Sequence, residues 1–401
     1  MNILVLTSEY PYKKDSNSDR TKVVGYFTKE WVKQGHKVVV IVNSSTFPNF
    51  YYSIGEKLIK FIARFYSISR CINKIWTNSF FYIENGVYVQ NIPIHKCYPH
   101  GCFSKKTLNK QLRAIENTLQ EQDFKPDIVT GHWVNPQIKL IPFLANKYGA
   151  KSAFVFHADY KYKICKKFHV QKYIDQIDHI GFRSKHAAET ALKYLNIKDK
   201  PFVAASGIPD AFIQSYYTMP QKEYAVIKII TAARLLEYKK IDVIISATEN
   251  AFSDHPFDLI IAGDGPLKKQ LENQAIKSKF SKHIHLIGET KREDLQDLMS
   301  ESDIFALISL HETFGLVYLE AMLHGCIVIA SRFGGVDGII QDGINGFLCE
   351  EGNEQELTTI FKKILSLSRE DRIKIGEKAR NTAIQFTEDK VARDYINHIL
   401  E

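Results

Sequence analysis

Short apolar runs alternate along the whole chain with longer stretches whose apolar positions recur at helical spacing. Such alternation predicts parallel α/β units, whose buried strands read as nearly continuous Val, Ile and Leu. In the first half, runs near 2–7, 37–42, 87–92, 127–130, 152–156 and 178–181 predict strands. A helix near 22–35 ends at Gly35, as a glycine stop would. The second half restarts at 226–232, with further strands at 259–262, 284–287, 304–308 and 327–330 and helices between them. Gly207, Pro209 and Pro220 interrupt the periodicity around 207–222. The pattern predicts two doubly wound domains, 1–207 and 208–385, followed by a segment 386–401 that carries a helix over about 388–400.

The chain has 401 residues, enough for two domains with full cores. No apolar run reaches the length of a membrane span. The start, Met1-Asn2-Ile3-Leu4-Val5-Leu6, reads as a buried strand and lacks the layout of a secretion signal. Six cysteines are scattered without any Cys-x-x-Cys, which argues for isolated thiols in a reducing compartment and against a disulfide frame or zinc site. A cytoplasmic location is expected.

Charge is unevenly placed. Residues 1–205 carry 31 Lys and Arg against 15 Asp and Glu, a balance of +16, whereas the remainder is −8. The first half is therefore expected to meet an anionic surface or acceptor. Anionic lipid is one candidate and nucleic acid the other. Within that half, residues 54–76 interleave Ile54, Leu58, Ile59, Phe61, Ile62, Phe65, Tyr66 and Ile68 with Lys57, Lys60, Arg64, Arg70 and Lys74. A basic, aromatic, amphipathic segment of this kind either lies in a membrane interface or packs on its own domain with its lysines in water.

The densest chemistry lies at His311-Glu312-Thr313-Phe314-Gly315, followed by an apolar helix that carries Glu320. In open α/β sheets, ligands collect where a strand's carboxyl end meets the next helix's amino end. The helix dipole and its unpaired N–H groups favour an anion there, such as a diphosphate. Glu312 falls in the turn. Glu320 falls about five residues into the helix, roughly 8 Å further along its axis. Two carboxylates so separated suit hydroxyls on either side of a bound diphosphate, the layout of a nucleotide-sugar. Either Glu alone reads equally well as a dipole partner or a solvated helix face. However, Glu320 follows Leu316, Val317 and Leu319 and so requires a partner.

Arg234 and Lys239 stand in the loop after the 226–232 run, where a guanidinium fork and a point charge can neutralise a diphosphate. Gly263-Asp264-Gly265-Pro266 closes the next strand; alone it is only a turn signal. The three loops follow strands of one sheet and together outline one edge of a crevice. In the first half, His157 and Asp159 end the 152–156 strand, Gly131-His132-Trp133 ends the strand before it, and Ser8-Glu9-Tyr10-Pro11 with Asp15 to Asp19 follows the first. His157 has the chemistry to donate a hydrogen bond to a sugar or acceptor hydroxyl, or simply to satisfy a backbone carbonyl.

At these residues the second half resembles the family 4 ("group 1") retaining glycosyltransferases of the GT-B fold. The resemblance runs in order through Arg234 and Lys239, Gly263-Asp264-Gly265-Pro266, Leu286-Ile287-Gly288, Glu312 and Glu320, Gly334-Gly335, and Asp342-Gly343-Ile344-Asn345-Gly346-Phe347-Leu348. It is strong over roughly 226–350 and looser in the first half, through Asn2-Ile3-Leu4, Gly35-His36-Lys37-Val38, Pro126-Asp127 and His157. The resemblance implies two Rossmann-like domains facing across a cleft, with the terminal helix crossing back onto the first. It implies that Arg234 and Lys239 hold the donor diphosphate and that Glu312 contacts the transferred sugar. Thr313, Phe314 and Gly315 would offer backbone amides, and Glu320 would bind the ribose hydroxyls. Gly263 and Gly265 would line the donor site, Gly288 to Thr290 would border the base, and His157 would face the sugar.

The chain departs from the family pattern at four places. Lys240 stands where a glycine usually follows the loop lysine, Ala233 replaces the glycine before the arginine, and Gly338 replaces a glutamate. The first loop carries Asp15-Ser16-Asn17-Ser18-Asp19 in place of paired glycines.

The expected activity is retaining transfer of a sugar from a nucleotide-diphosphate donor, a UDP-sugar first, to a hydroxyl of a glycan or lipid-linked acceptor in surface-polysaccharide synthesis. No cofactor is expected, since the nucleotide-sugar is a substrate. No Asp-x-Asp occurs, so no metal bridge to the diphosphate is expected. The rivals are a GT-B sugar-nucleotide epimerase and a catalytically silent subunit that binds a membrane. The absence of Gly-x-Gly-x-x-Gly after the first strand argues against a dinucleotide dehydrogenase, and no nucleic-acid partner is expected. If residues 54–76 attach the chain to lipid, it will co-sediment with anionic but not neutral vesicles, and equal sedimentation with both removes that role.

Overall fold

The computed structural model describes residues 1–12, 21–52, 74–98, 101–157, 162–214 and 226–401. The chain divides into two compact units. The first comprises Met1–Phe182, Ala188–Ala204 and Ala392–Glu401; the second comprises Arg183–Ala187 and Ala205–Val391. Asp15 to Asp19, Asp159, Pro220 and residues 54–73 lie outside the described residues.

The first unit contains β1 (Asn2–Thr7), β2 (Lys37–Val42), β3 (Ser45–Thr46), β4 (Phe80–Glu84), β5 (Val87–Asn91), β6 (Ile94–His95), β7 (Ile128–His132), β8 (Lys151–Phe156), β9 (His179–Phe182) and β10 (Phe202–Val203). Eight of them form one sheet in the order β10-β9-β8-β7-β1-β2-β5-β4, while β3 and β6 pair separately. β1 and β2 show why: after one or two polar residues, their apolar runs are buried throughout. Burial of that kind belongs to a parallel sheet covered on both faces. The helix Val23–Lys33 ends before Gly35, whose φ is +86°.

Periodicity finds every interior strand of this sheet to within two residues, but it misses both edge strands, β4 and β10. β4 pairs antiparallel with β5 through a turn at Asn85-Gly86, both at positive φ. Asn-Gly is the usual sequence of a two-residue hairpin and was the signal available for it. Phe81 and Ile83 of β4 remain exposed.

The helix Glu388–Leu400 follows the second unit's last strand in sequence, and its residues 392–400 are grouped with the first unit. There the Trp31 indole donates to the Ala392 carbonyl at 2.9 Å, and the Tyr395 hydroxyl lies 2.6 Å from Thr130 Oγ1. The Tyr395 ring packs about 5 Å from the rings of Phe27, Trp31 and Phe202.

The second unit is one parallel sheet of β11 (Ile227–Ala232), β12 (Phe257–Ala262), β13 (Ile284–Gly288), β14 (Ile304–Leu307), β15 (Ile327–Ser331) and β16 (Phe347–Cys349). The order is β13-β12-β11-β14-β15-β16. Strand progression reverses between β11 and β14, and a crevice opens at such a reversal, outside the strands' carboxyl ends. The loops leaving β11 and β14 carry Arg234 and Lys239 on one side and Glu312 on the other.

Two departures from the family pattern acquire a physical reading here. Ala233 has no positive φ, so a glycine is not needed there. Lys240, by contrast, sits at φ +54° and ψ +37°, immediately before the helix Ile241–Ala251. A side chain in the left-handed region costs about 1 kcal/mol relative to glycine. Lys240→Gly is expected to match or exceed the wild type in stability by up to about 1 kcal/mol, and Lys240→Val to fall below it. Urea unfolding of the three proteins checks the order.

Candidate functional site

The loops at the strand reversal are fastened to one another by backbone. Gly263 N donates to the Gly288 carbonyl at 2.6 Å, Ala233 N to the Ala262 carbonyl at 3.1 Å, and Leu235 N to the Asp264 carbonyl at 2.9 Å. On the other side Leu310 N donates to the Tyr238 carbonyl at 2.7 Å. The segments after β11, β12, β13 and β14 therefore form one connected rim.

Two glycines permit the closeness of that rim. A Cβ on Gly263 would lie 1.9 Å from the Ala233 carbonyl oxygen, and one on Gly335 would lie 2.1 Å from Phe314 Cα. No flexible side chain is involved in either clash, so neither position admits a larger residue without backbone movement. Gly263 of the Gly-Asp-Gly-Pro turn is thus required by the chain carrying Arg234, and Gly335 by the turn carrying Thr313 and Phe314. Asp264 adds a local brace: its carboxylate accepts from Gly265 N and pairs with Lys268 at 3.0 Å. The Lys268 contact, followed by the Gly265 amide, holds the Asp264 carboxyl below its ordinary range.

Three of the predicted donor residues, Lys239, Glu312 and Glu320, take part in two charge pairs. Lys239 Nζ lies 2.5 Å from Glu312 Oε2, with both side chains 14% exposed. Arg234, five residues before Lys239 in the same loop, is exposed, while Leu235 beside it is buried. Glu312 sits in the turn as expected, and Gly315 (φ +76°) caps the helix Leu316–Leu323. Glu320 is the fifth residue of that helix, 4% exposed, and its partner is Arg292. Arg292 Nε donates to Glu320 Oε1 at 2.8 Å, and Nη2 donates to the same oxygen. The Arg292 guanidinium also lies 5.0 Å from the Phe212 ring centroid. Gly288 and Thr290 adjoin this pair in sequence, the Thr290 hydroxyl donating to the Gly288 carbonyl at 3.2 Å.

Behind the turn, Tyr318 is fully buried and its hydroxyl donates to the Leu307 carbonyl at 2.8 Å. Burial, reinforced by the nearby Glu312 carboxylate, pushes its phenol well above the ordinary tyrosine range. Tyr318 therefore stays neutral and holds β14 to the helix.

Arg292 and Arg183 are site neighbours that the sequence reading omits. Arg292 was accessible through the need of Glu320 for a cation, but no local spacing says which helix supplies it. Arg183 belongs to the short segment grouped with the second unit. It is 4% exposed, donates to Ser206 Oγ and lies 5.3 Å from the Phe314 ring centroid. Nothing in its neighbourhood along the chain announces that contact.

His157 lies in the first unit, just after β8. Its Nε2 is 2.8 Å from Nδ1 of His132, and its ring stacks 4.2 Å from the Trp133 ring. His132 ends β7, the strand paired with β8. Gln137 Nε2 donates to Ser8 Oγ at 2.8 Å, which draws the turn after β1 toward the segment after β7. Among the described residues, no group of three or more His, Cys, Asp or Glu side chains is placed to hold a metal ion. No helix among them is long and apolar enough to cross a membrane.

Comparison with known proteins is consistent with this geometry. Residues 221–382 match the model of the family described as "Glycosyl transferases group 1". The chain is 32% identical to an uncharacterized glycosyltransferase of Methanocaldococcus jannaschii, over 38% of this chain and 42% of that protein. It is 28% identical to the N-acetyl-alpha-D-glucosaminyl L-malate synthase of Bacillus anthracis, over 44% of this chain and 47% of that one. The chain spans about half the length of the curated relatives it matches. Among solved structures, Anabaena HepE in complex with UDP aligns with a TM-score of 0.66 at 16% identity, covering 100% of both chains. The fold is GT-B.

Arg292→Leu is expected to leave the buried Glu320 carboxylate without its guanidinium. The cost should be about 1–3 kcal/mol, below the range for a fully buried pair because Arg292 is 30% exposed. Chemical denaturation that shows no loss would mean that water or another cation replaces Arg292 at little cost.

Proposed function

We propose that this chain is a retaining glycosyltransferase that moves a sugar from a nucleotide-diphosphate donor to a hydroxyl acceptor. The observation that carries this reading is the Lys239–Glu312 pair, 2.5 Å apart, set at the strand reversal beside the turn that opens the helix Leu316–Leu323. A cation held at that point is matched to a diphosphate, and the carboxylate holding it is matched to a sugar hydroxyl. The group 1 match over residues 221–382 supports the assignment.

In this reading the donor diphosphate lies between Arg234, Lys239 and the amides of Thr313 to Gly315. As the sugar–phosphate bond breaks, charge grows on the diphosphate. Cations and dipoles already in place stabilise that charge without rearrangement, which is the largest catalytic contribution. The acceptor hydroxyl attacks the anomeric carbon from the face that the diphosphate leaves, and its proton passes to the departing diphosphate oxygen as the sugar–phosphate bond breaks. Glu312 contacts the transferred sugar, and Glu320, steadied by Arg292, takes the ribose hydroxyls. His157 of the first unit takes the part of hydrogen-bond donor to the sugar. No metal and no cofactor enters the scheme, since Arg234 and Lys239 supply the positive charge.

A uridine diphosphate sugar is the donor we favour, and the Anabaena neighbour's complex with UDP supports that choice. The +16 balance of residues 1–205 supports an anionic acceptor, a glycan or lipid-linked intermediate of surface-polysaccharide synthesis. The same charge supports work at the cytoplasmic face of a membrane, with the chain attached peripherally.

Incubation with UDP-, GDP- and ADP-sugars tests the reading. One donor should be consumed, its sugar appearing on a hydroxyl with the anomeric configuration unchanged by NMR. Lys239→Ala and Glu312→Ala should each lower turnover at least about 100-fold while circular dichroism stays that of the wild type. Turnover near wild type in either variant would overturn the assignment.

A further inference from the structure

His132 and His157 reach one another because β7 and β8 are parallel neighbours, with His132 in register with Val155. His157 stands two residues further on, beyond the strand's end. His132 is fully buried, whereas His157 is only partly so. The ring of His132 packs among aromatic rings of its own unit: Phe27 at 6.4 Å, Tyr395 at 6.0 Å and Trp133 at 6.2 Å between centroids. Tyr395 is in turn held by Thr130 at 2.6 Å. His132 is thus a fixed ring, and its Nδ1 side meets His157.

That contact joins His132 Nδ1 to His157 Nε2 at 2.8 Å. Two ring nitrogens approach so closely only when one proton lies between them, so one ring donates and the other accepts. The donor role proposed for His157 requires its proton on Nδ1, so His132 Nδ1–H donates and His157 Nε2 accepts. The Trp133 ring lies over the face of His157 at 4.2 Å and 18°, which restrains rotation about the ring's long axis. A neutral histidine in water samples two tautomers and many orientations. Here both are restricted by neighbours from β7 and its following turn.

We propose that His132 is a positioning residue for His157: its Nδ1–H holds the His157 proton on Nδ1 and fixes the orientation of that ring. The effect on turnover and the choice of tautomer rest on the function proposed above, whereas the presence of a single tautomer does not.

The test uses the full chain. In wild-type protein labelled with 15N-histidine, His157 should show a single tautomer by its ring-nitrogen shifts. His132→Phe keeps an aromatic ring among Phe27 and Tyr395 but removes the nitrogen, so His157 should shift to a mixture of tautomers. With the donor identified by the sugar panel, kcat should fall about five- to tenfold, the worth of one net hydrogen bond, and the donor KM should stay within about twofold. His132→Asn places an amide atom near the position of Nδ1 and should restore both the single tautomer and most of the lost kcat. An unchanged His157 spectrum in His132→Phe, or an equal kcat loss in both variants, would overturn the proposal. If no donor is turned over, the function proposed above fails while the nitrogen shifts still decide the role of His132.

Discussion

Close approach of backbone to backbone at the carboxyl ends of the second sheet is the constraint on which the placing of Lys239 and Glu312 depends. Gly263 against Ala233 and Gly335 against Phe314 leave no volume for a methyl group. Because the rim is built from main chain, its geometry does not rest on side-chain rotamers, and the charged groups it carries start from fixed points. Lys239 and Glu312 stand on opposite sides of the strand reversal yet meet, because the Leu310–Tyr238 hydrogen bond holds their loops together. Burial behind them, through Tyr318 and the apolar helix, keeps water from softening that arrangement.

Much of this was readable in the amino-acid sequence, and the reason is physical. Parallel strands buried on both faces leave uninterrupted apolar runs, so β1, β2, β14 and β15 stand out. The turn at Glu312 and the helix carrying Glu320 fall where the spacing puts them. The legible features share one property: each depends on residues close to one another along the chain. β4 breaks the rule only in part, because its Asn85-Gly86 turn is itself a local signal. Its exposed Phe81 and Ile83, at an edge, do not follow the buried pattern of the interior strands.

The contacts that escaped are long-range. Glu320 advertised that it needed a cation, but Arg292 is supplied by another helix, and only the folded packing decides which basic residue arrives. Arg183 lies well before the second unit's first strand and still packs against Phe314. The contact of His132 with His157 depends on the register of two strands, and register is written in no single motif. Lys240 shows the converse case. The departure from glycine was visible in the sequence, but its consequence became visible only with a backbone angle.

The grouping of residues into units also bears on how such proteins are taken apart and recombined. The path passes from one unit to the other at 182–183, 187–188, 204–205 and 391–392. A single severing of the polypeptide near residue 205 would separate Arg183 from Ser206 and strip Trp31 and Thr130 of Ala392 and Tyr395. The two halves are therefore not interchangeable modules divided by one seam. Exchange with a relative would have to carry the short central piece along with the second body and return the tail to the first, so any inherited shuffling is constrained to travel in interleaved blocks.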